Sequence, residues 1–296
     1  MIRHTIASDV LTVSIRTLGA ELCSIRDCHE VEYMWPADPA VWSRHAPILF
    51  PMVGRLRGDA YRYRGTEYRM GQHGFARDRM FSLEEEHAGY LRYRLVSDDH
   101  TRAMYPFEFA LDVTYRLDGA TLYVSYEVRN PGSDDLWFSI GAHPGFSCRW
   151  RPGDRLQDCY LEFGPSGTLT RTFLEDGLLG ERQAPVLLDA DRRLFLSERL
   201  FKEGALIFNP NPVNRVSLGS RSGPGRVEVS FDGFPQLGLW AMPGAPYLCI
   251  EPWYGHGDTI GHDGEWTRKP GLLNLAPCES FRCTHSIHIV PVSSGP

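Results

Sequence analysis

The chain has 296 residues, of which 42% are hydrophobic and 23% charged, as in an ordinary globular protein. Its formal net charge of −6 argues against a nucleic-acid partner, because nucleic-acid-binding surfaces are basic. Aromatic residues make up 12% of the chain and are accompanied by 29 glycines and 21 prolines. This combination favours many strands and tight turns over helices.

Alternation of apolar and polar residues predicts β-strands in several segments of the chain. On a strand, this alternation places the apolar side chains on one face. Residues 111–117 and 122–128 both alternate in this way, and Asp118 and Gly119 between them supply the turn of a hairpin. The full set of predicted strands, in chain order, is 11–15, 61–68 (a hairpin about Gly65), 111–117, 122–128, 227–231, 247–251 and 281–289.

Helical signals are sparse. Asp38 and Pro39 suit the first positions of a short helix that runs through Trp42, and residues 197–202, closed by Gly204, suit a second. No repeat of fixed period and no low-complexity linker divides the sequence. We therefore predict an all-β protein with few short helices and a single domain over residues 1–296.

The seven cysteines follow no disulfide or zinc pattern. The closest pairs, Cys23/Cys28 and Cys278/Cys283, do not have the C-x-x-C spacing. Polar residues from Arg3 onward interrupt any signal peptide, and no apolar run is long enough to span a bilayer. We expect reduced thiols, a cytoplasmic location and no membrane partner.

Motifs for several other chemistries are missing from the sequence. It has no G-x-G-x-x-G after a strand, no P-loop and no G-x-S-x-G nucleophile elbow. His285 and His288 resemble a metal pair, but residues three apart on a strand point to opposite faces. No spacing along a predicted strand gathers three or four histidine, cysteine or carboxylate ligands, so we expect no metal site.

Four segments place a titratable or cationic side chain among glycine, proline and aromatic neighbours. Glycine allows sharp turns and a close approach to a ligand, and aromatic faces suit the apolar face of a sugar ring. The segments are FPMVGR (50–55), GQHGFAR (71–77), GAHPGF (141–146) and CIEPWYG (249–255).

Alternation along residues 247–251 places Glu251 on the same face as Tyr247 and Cys249. Partial desolvation there raises the pKa of a carboxyl group toward neutrality, as a general base requires. A buried structural glutamate is the alternative, and a lone His143 is more often a core or turn residue. The joint occurrence of both with a second imidazole, His73, and the guanidinium of Arg55 favours a catalytic site.

Five segments, in this order, resemble the bacterial aldose 1-epimerase family and its LacX-like branch. They are APILFPMVGRLRG, QHGFARDRMF, GAHPGF, LFKEGALIF and IEPWYG. The resemblance implies a galactose-mutarotase-like fold, which is a large antiparallel β-sandwich, a monosaccharide substrate and no cofactor.

By position in these motifs, His143 corresponds to the family's general acid and Glu251 to its general base. His73 and Arg55 correspond to groups that hold the sugar and polarise its ring oxygen, and we place Arg77 with them as a substrate-binding residue. Mutarotases also use a substrate-holding aspartate. It has no secure counterpart here, and the candidates are Glu203 and Asp232.

The sequence therefore predicts an isomerase that interconverts the α and β anomers of an aldohexose by acid–base ring opening. Two alternatives remain open: a hexose-6-phosphate 1-epimerase, and a non-catalytic carbohydrate-binding β-sandwich that uses Trp137, Trp240 and Trp253 as stacking platforms. A hydrolase is less well supported, because hydrolysis usually needs two carboxylates and only Glu251 is clearly placed.

Overall fold

The computed structural model describes residues 2–165 and 167–292. Most regular structure in this part of the chain is β-strand, and the paired strands run antiparallel. The strands are β1 (Arg3–Ala7), β2 (Leu11–Arg16), β3 (Glu21–Asp27), β4 (Ile48–Leu49), β5 (Ala60–Tyr63), β6 (Thr66–Arg69), β7 (Ser82–His87), β8 (Tyr90–Val96), β9 (Ala110–Asp118), β10 (Thr121–Arg129), β11 (Leu136–Phe138), β12 (Ile140–Ala142), β13 (Gly145–Ser147), β14 (Cys159–Phe163), β15 (Thr170–Glu175), β16 (Leu178–Pro185), β17 (Arg193–Phe195), β18 (Leu206–Phe208), β19 (Arg215–Ser220), β20 (Gly223–Ser230), β21 (Gln236–Trp240), β22 (Tyr247–Tyr254), β23 (Leu273–Leu275) and β24 (Ser280–Val290).

Two large antiparallel sheets form a β-sandwich, as predicted. One has the strand order β17-β14-β19-β20-β24-β10-β9-β8-β7. The other has the order β16-β15-β18-β21-β22-β12-β4, with β13 also paired to β22. Apolar side chains of both sheets, such as Val124 on β10 and Ile250 on β22, belong to one continuous buried cluster. The smaller sheets are β1-β2-β3, β5-β6 and β11-β23.

The strands predicted from alternation are confirmed. In β10, Leu122, Val124, Tyr126 and Val128 are buried, and the residues between them are more exposed. The hairpin with β9 closes at Thr121 opposite Asp118, with Gly119 in the left-handed region. The predicted hairpin about Gly65 is β5-β6.

Both predicted helices are wrong. The chain after Asp38 makes a single turn, in which the backbone N–H groups of Val41 and Trp42 donate to the Asp38 carbonyl, and residues 198–203 also form turns. Segments this short do not sustain a helix without tertiary support. The α-helix that the described residues contain is α1 (Asp99–Met104), and its capping box joins Asp98 and Thr101. Short 3₁₀ turns lie at Arg57–Asp59, Ala76–Asp78, Leu156–Asp158 and Trp266–Arg268.

None of the described helices has both the length and the apolar character needed to cross a membrane. Strand β22 lies inside the eight-stranded sheet, between β21 on one side and β12 and β13 on the other. Its Leu248 and Ile250 side chains belong to the core of the sandwich. Alternation along the strand places Cys249, Glu251 and Trp253 on the opposite face.

Candidate active site

The floor of the site is the indole of Trp253, which lies over two glycines of the neighbouring strands. Gly141 on β12 is the cross-strand partner of Trp253, and a Cβ there would come within 2.5 Å of its Cδ1. A Cβ at Gly238 on β21 would overlap the six-membered ring of the same indole. The two glycines therefore allow one aromatic ring to lie along the sheet surface across three strands.

Above this floor is a cavity of about 290 Å³. All five site residues predicted from the sequence line it: Arg55, His73, Arg77, His143 and Glu251. Residues 54–77 and 141–146 thus converge on the face of β22. Sequence reasoning did not identify several further lining residues, namely Trp42, Pro47, Gln72, Leu174, Leu179 and Ile207.

His143 and Glu251 form a buried pair at the centre of the site. The Nε2 atom of His143 lies 3.2 Å from Oε2 of Glu251, and the two residues are 7% and 1% exposed. The pairing of the strands explains this proximity. β12 and β13, which flank His143, both pair with β22, and the Pro144 carbonyl accepts a hydrogen bond from the backbone N–H of Ile250.

Burial favours the neutral form of both groups in this pair. It raises the pKa of Glu251 well above its usual value and lowers the pKa of His143 below its usual value. In its neutral form the pair is a carboxylic acid beside an imidazole, with Oε2 and Nε2 3.2 Å apart. A carboxylate beside an imidazolium contains the same number of protons as a carboxylic acid beside a neutral imidazole. The pair can therefore switch between the neutral and the charged form without taking a proton from solvent.

Aromatic rings fix the orientation of the His143 imidazole. Trp42 stacks on it with ring centroids 5.1 Å apart, and Trp240 meets it edge-on at 5.7 Å. Trp42 also stacks on Tyr247, at 5.4 Å and an interplanar angle of 7°. Gly145 allows this arrangement, because a Cβ there would lie 2.7 Å from Cζ3 of Trp42.

His73 is a second buried imidazole of the cavity, 5.6 Å from His143 between ring centroids and at a right angle to it. The Gly54 N–H donates to its Nδ1 at 3.1 Å. Burial lowers the pKa of His73 well below its usual value, so the ring is neutral at pH 7. Because Nδ1 accepts a hydrogen bond from a backbone N–H, Nε2 carries the ring proton. The Gln72 amide, whose terminal atom lies 3.2 Å from Nε2, then presents its oxygen to this proton.

The two arginines of the cavity differ in their surroundings. The Arg55 side chain is 48% exposed and makes two hydrogen bonds to Asp59, at 3.0 and 3.1 Å. Arg77 is more enclosed and donates to the Gln72 carbonyl at 2.6 Å. Burial lowers the pKa of Arg77 to about 10, so it stays cationic at neutral pH.

The two candidates for a further substrate-holding acid do not line the cavity. The Glu203 side chain is 58% exposed and pairs with Arg182 at 2.7 Å, and Asp232 accepts from the Asn214 amide. Both residues lie in turns between strands, and Gly204, which follows Glu203, lines the cavity instead. Among the described lining residues, Glu251 is the one carboxylate.

The three tryptophans proposed as stacking platforms do not all lie in the same site. Trp240 and Trp253 line the cavity. Trp137 lies on β11 in a separate small sheet, where its carbonyl accepts hydrogen bonds from Tyr105 and Trp266. Position along the sequence could not distinguish these cases, because the strand pairing decides which face of the molecule each ring reaches.

Three residues that could hold a metal ion come together in the fold, although no spacing along a single strand gathers them. His143, Cys249 and Glu251 are all buried, and each offers one ligand atom within 4.8 Å of the other two. Spacing along a single strand cannot indicate such a cluster. The cluster combines two residues of β22 with one from the adjacent turn, a combination that only the pairing of β22 with β12 and β13 creates.

Comparison with known proteins gives one consistent family for the chain. The family model for aldose 1-epimerase matches residues 3–272. Protein LacX of Lactococcus lactis subsp. lactis is 32% identical over 292 residues, which cover 96% of this chain and 98% of that protein. The chain belongs to the aldose 1-epimerase family. The segments that resemble aldose 1-epimerases, from residue 46 to residue 255, all lie within the matched region.

Solved structures also resemble this aldose 1-epimerase family member over nearly its whole length. A galactose mutarotase-related enzyme from Lactobacillus acidophilus is 34% identical, with a TM-score of 0.94 and coverage of 99% of this chain and 98% of that chain. A galactose mutarotase-like protein from Lactobacillus casei is 28% identical, with a TM-score of 0.90 and coverage of 98% and 100%. The predicted galactose-mutarotase-like β-sandwich is therefore confirmed.

Proposed function

We propose that this protein interconverts the α and β anomers of a free aldohexose by acid–base ring opening, with Glu251 as base and His143 as acid. The observation that carries the proposal is the buried 3.2 Å contact between His143 Nε2 and Glu251 Oε2 in a cavity lined by aromatic rings. A binding module needs the aromatic rings but has no use for a coupled acid and base.

The reaction matches the single proton that the pair holds. With the pair as carboxylate and imidazolium, Glu251 accepts the proton of the anomeric hydroxyl while His143 donates one to the ring oxygen. The C1–O5 bond breaks and the C1 carbonyl forms. The pair is then a carboxylic acid beside a neutral imidazole, which is the form that burial favours.

Rotation about the C1–C2 bond presents the other face of the carbonyl. Both proton transfers then run backwards, the C1–O5 bond re-forms, and the pair returns to its starting charge distribution. No proton has to enter from solvent during a cycle. Each positioned proton transfer typically contributes about 10²–10⁴-fold to the rate.

The remaining lining groups suit a sugar ring. The flat indole of Trp253 offers a surface for the C–H face of a pyranose. His73, Arg77 and Gln72 offer polar groups to the hydroxyls and to the ring oxygen. These assignments, like the roles of His143 and Glu251, are part of the proposal.

The direct test is anomer exchange on freshly dissolved aldoses, followed by polarimetry or by exchange NMR. The panel includes glucose, galactose, xylose and glucose 6-phosphate, each with a buffer blank. We expect faster equilibration than in buffer for at least one neutral aldohexose. Tight binding without any acceleration across the panel would overturn the proposal in favour of a carbohydrate-binding protein.

A further inference from the structure

We propose that His143, Cys249 and Glu251 form a binding site for Zn²⁺, and that the bound ion inhibits the enzyme. The binding stands on geometry alone. The inhibition rests on the function proposed above.

The three ligand atoms are already close together. Cys249 and Glu251 lie two residues apart on the same face of β22, and the turn after β12 brings His143 to them. The His143–Glu251 contact is 3.2 Å, and the ligand atoms lie within 4.8 Å of one another. If the Cys249 sulfur lies 4.8 Å from both the imidazole nitrogen and the carboxylate oxygen, a point equidistant from the three atoms is about 2.5 Å from each. Zinc bonds to such ligands are about 2.0–2.3 Å long, so only a small contraction is needed.

The ligand types select the ion. One imidazole nitrogen, one sulfur and one carboxylate oxygen form a set that Zn²⁺ accepts, whereas Mg²⁺ and Ca²⁺ require oxygen ligands. Zinc releases the ligand protons when it binds. A thiolate and a carboxylate then balance the two positive charges, so the buried complex is neutral overall and avoids an unpaired charge in a low-dielectric site.

Access and coordination number also fit. His143 and Glu251 both line the cavity, so an ion arriving from solvent meets them first. Three protein ligands leave the fourth tetrahedral position open toward the cavity. The stacked ring of Trp42 holds the imidazole in place, which reduces the rearrangement needed for binding.

Inhibition follows because zinc occupies the atoms that the sugar needs. A coordinated Nε2 cannot donate a proton to the ring oxygen, and a coordinated carboxylate is a weaker base. The ion and the sugar therefore exclude each other from the same end of the cavity. Zn²⁺ is expected to raise the apparent KM for the aldose, and Mg²⁺ at equal concentration is expected to leave it unchanged.

Binding is tested without any sugar. The full-length protein is stripped with EDTA, dialysed and titrated with Zn²⁺ by equilibrium dialysis, and Co²⁺ is used as a spectroscopic probe of thiolate coordination. We expect one tight equivalent of Zn²⁺ and a thiolate-to-cobalt charge-transfer band. Cys249→Ser and Cys249→Ala should each weaken Zn²⁺ binding by at least tenfold and abolish the band.

Cys283→Ser is the matched control, because Cys283 is also a buried thiol but lies on β24, outside the cluster. It should bind as the wild type does. The proposed site is refuted if a folded Cys249 variant binds zinc as tightly as the wild type does. It is also refuted if cobalt binds without the thiolate-to-cobalt charge-transfer band.

Activity assays separate the two parts of the proposal. Zinc binding with no effect on anomer exchange overturns the inhibition and leaves the site in place. A protein that turns over no aldose contradicts the proposed function, and the dialysis result still decides whether zinc binds. Circular dichroism on each variant confirms that the comparison is between folded proteins.

Discussion

Gly238 on β21 is the direct cross-strand partner of Glu251 on β22, so the carboxylate has no side chain beside it on that strand. The Trp253 indole covers the space that Gly238 leaves. The position of the proposed base and that of the aromatic floor therefore depend on the same missing side chain.

The first prediction follows from this relationship. Gly238→Ala should displace the Trp253 ring, destabilise the protein by about 1–3 kcal/mol through overpacking, and lower kcat/KM for the preferred aldose. Gly261→Ala is the control, because a Cβ at Gly261 meets no atom within 4 Å. Urea unfolding and anomer exchange are measured on both. Wild-type activity in Gly238→Ala would show that the floor plays no part in catalysis.

The second prediction concerns the acid and the base. Glu251→Gln and His143→Asn should each lower kcat by roughly 10²-fold or more, because each removes one positioned proton transfer. The β-type circular dichroism should stay unchanged. Glu181→Gln, at an exposed position of β16, is the control and should keep full activity. Unfolding of both site variants would mean that the pair is structural.

The third prediction concerns charge on the substrate. Asp59 already binds Arg55 through two hydrogen bonds, and Asp78 lies 2.9 Å from Arg44 and 3.7 Å from Arg77. We expect neutral aldoses to have a higher kcat/KM than their 6-phosphates, since these cations are partly neutralised. A preference for glucose 6-phosphate that fades as salt rises would contradict this expectation.

Removing the Asp59 carboxylate, which pairs with Arg55, gives a more direct test of the preference for neutral aldoses. Asp59→Asn releases Arg55 at the cavity and should raise the ratio of kcat/KM for glucose 6-phosphate to that for glucose several-fold at low salt. Asp134→Asn releases Arg64 from a similar two-bond pair that is more exposed and lies outside the lining of the cavity, and it should leave the ratio unchanged.

The fourth prediction concerns acid stability. His285 on β24 is buried against Tyr126 and Phe234, and burial lowers its pKa from 6.5 to about 3. Because the folded-state pKa is lowered, its contribution to stability is complete above pH 6.5 and is lost as the pH falls toward 3. Between pH 7 and pH 4.5 this one group accounts for about 2–3 kcal/mol of lost unfolding free energy.

A substitution isolates this histidine from the other buried ones. His285→Phe cannot be protonated, so its free energy of unfolding should fall less between pH 7 and pH 4.5 than that of the wild type. His288→Gln, on the same strand, serves as the control. Urea titrations at three pH values give the slopes, and identical slopes for wild type and His285→Phe would refute the assignment.

The fifth prediction is that chelation does not stop turnover. Exhaustive EDTA treatment followed by dialysis should leave the rate of anomer exchange unchanged or raise it, because the proposed zinc site opposes the proposed reaction. A metal whose removal abolishes activity, and whose return restores it, would contradict both proposals.

Local pattern was sufficient to predict eight of the 24 described strands and the segments that form the site. The hairpin β9-β10 is encoded by alternation and by Gly119, both of which are properties of neighbouring residues. The lining residues Arg55, His73, His143 and Glu251 stood out because glycine, proline and aromatic neighbours surround each of them.

The features that could not be predicted from the sequence depend on contacts between residues that are far apart along the chain. Trp42 was assigned to a helix, but stacking on His143 and Tyr247 gives its segment a different conformation. The partnership of Cys249 with His143 depends on which strands flank β22, and no spacing in the sequence encodes that. Glu203 was a reasonable acid by position, yet its carboxylate points to Arg182 in solvent.

The place of β24 in its sheet has a consequence for synthesis. β24 pairs with β10 on one side and with β20 on the other, over residues 280–290. A nascent chain that has emerged only to residue 279 therefore carries two half-sheets, each with an unpaired inner edge. Open edges recruit strands from other chains. We therefore expect this protein to be most exposed to aggregation in the interval before β24 emerges.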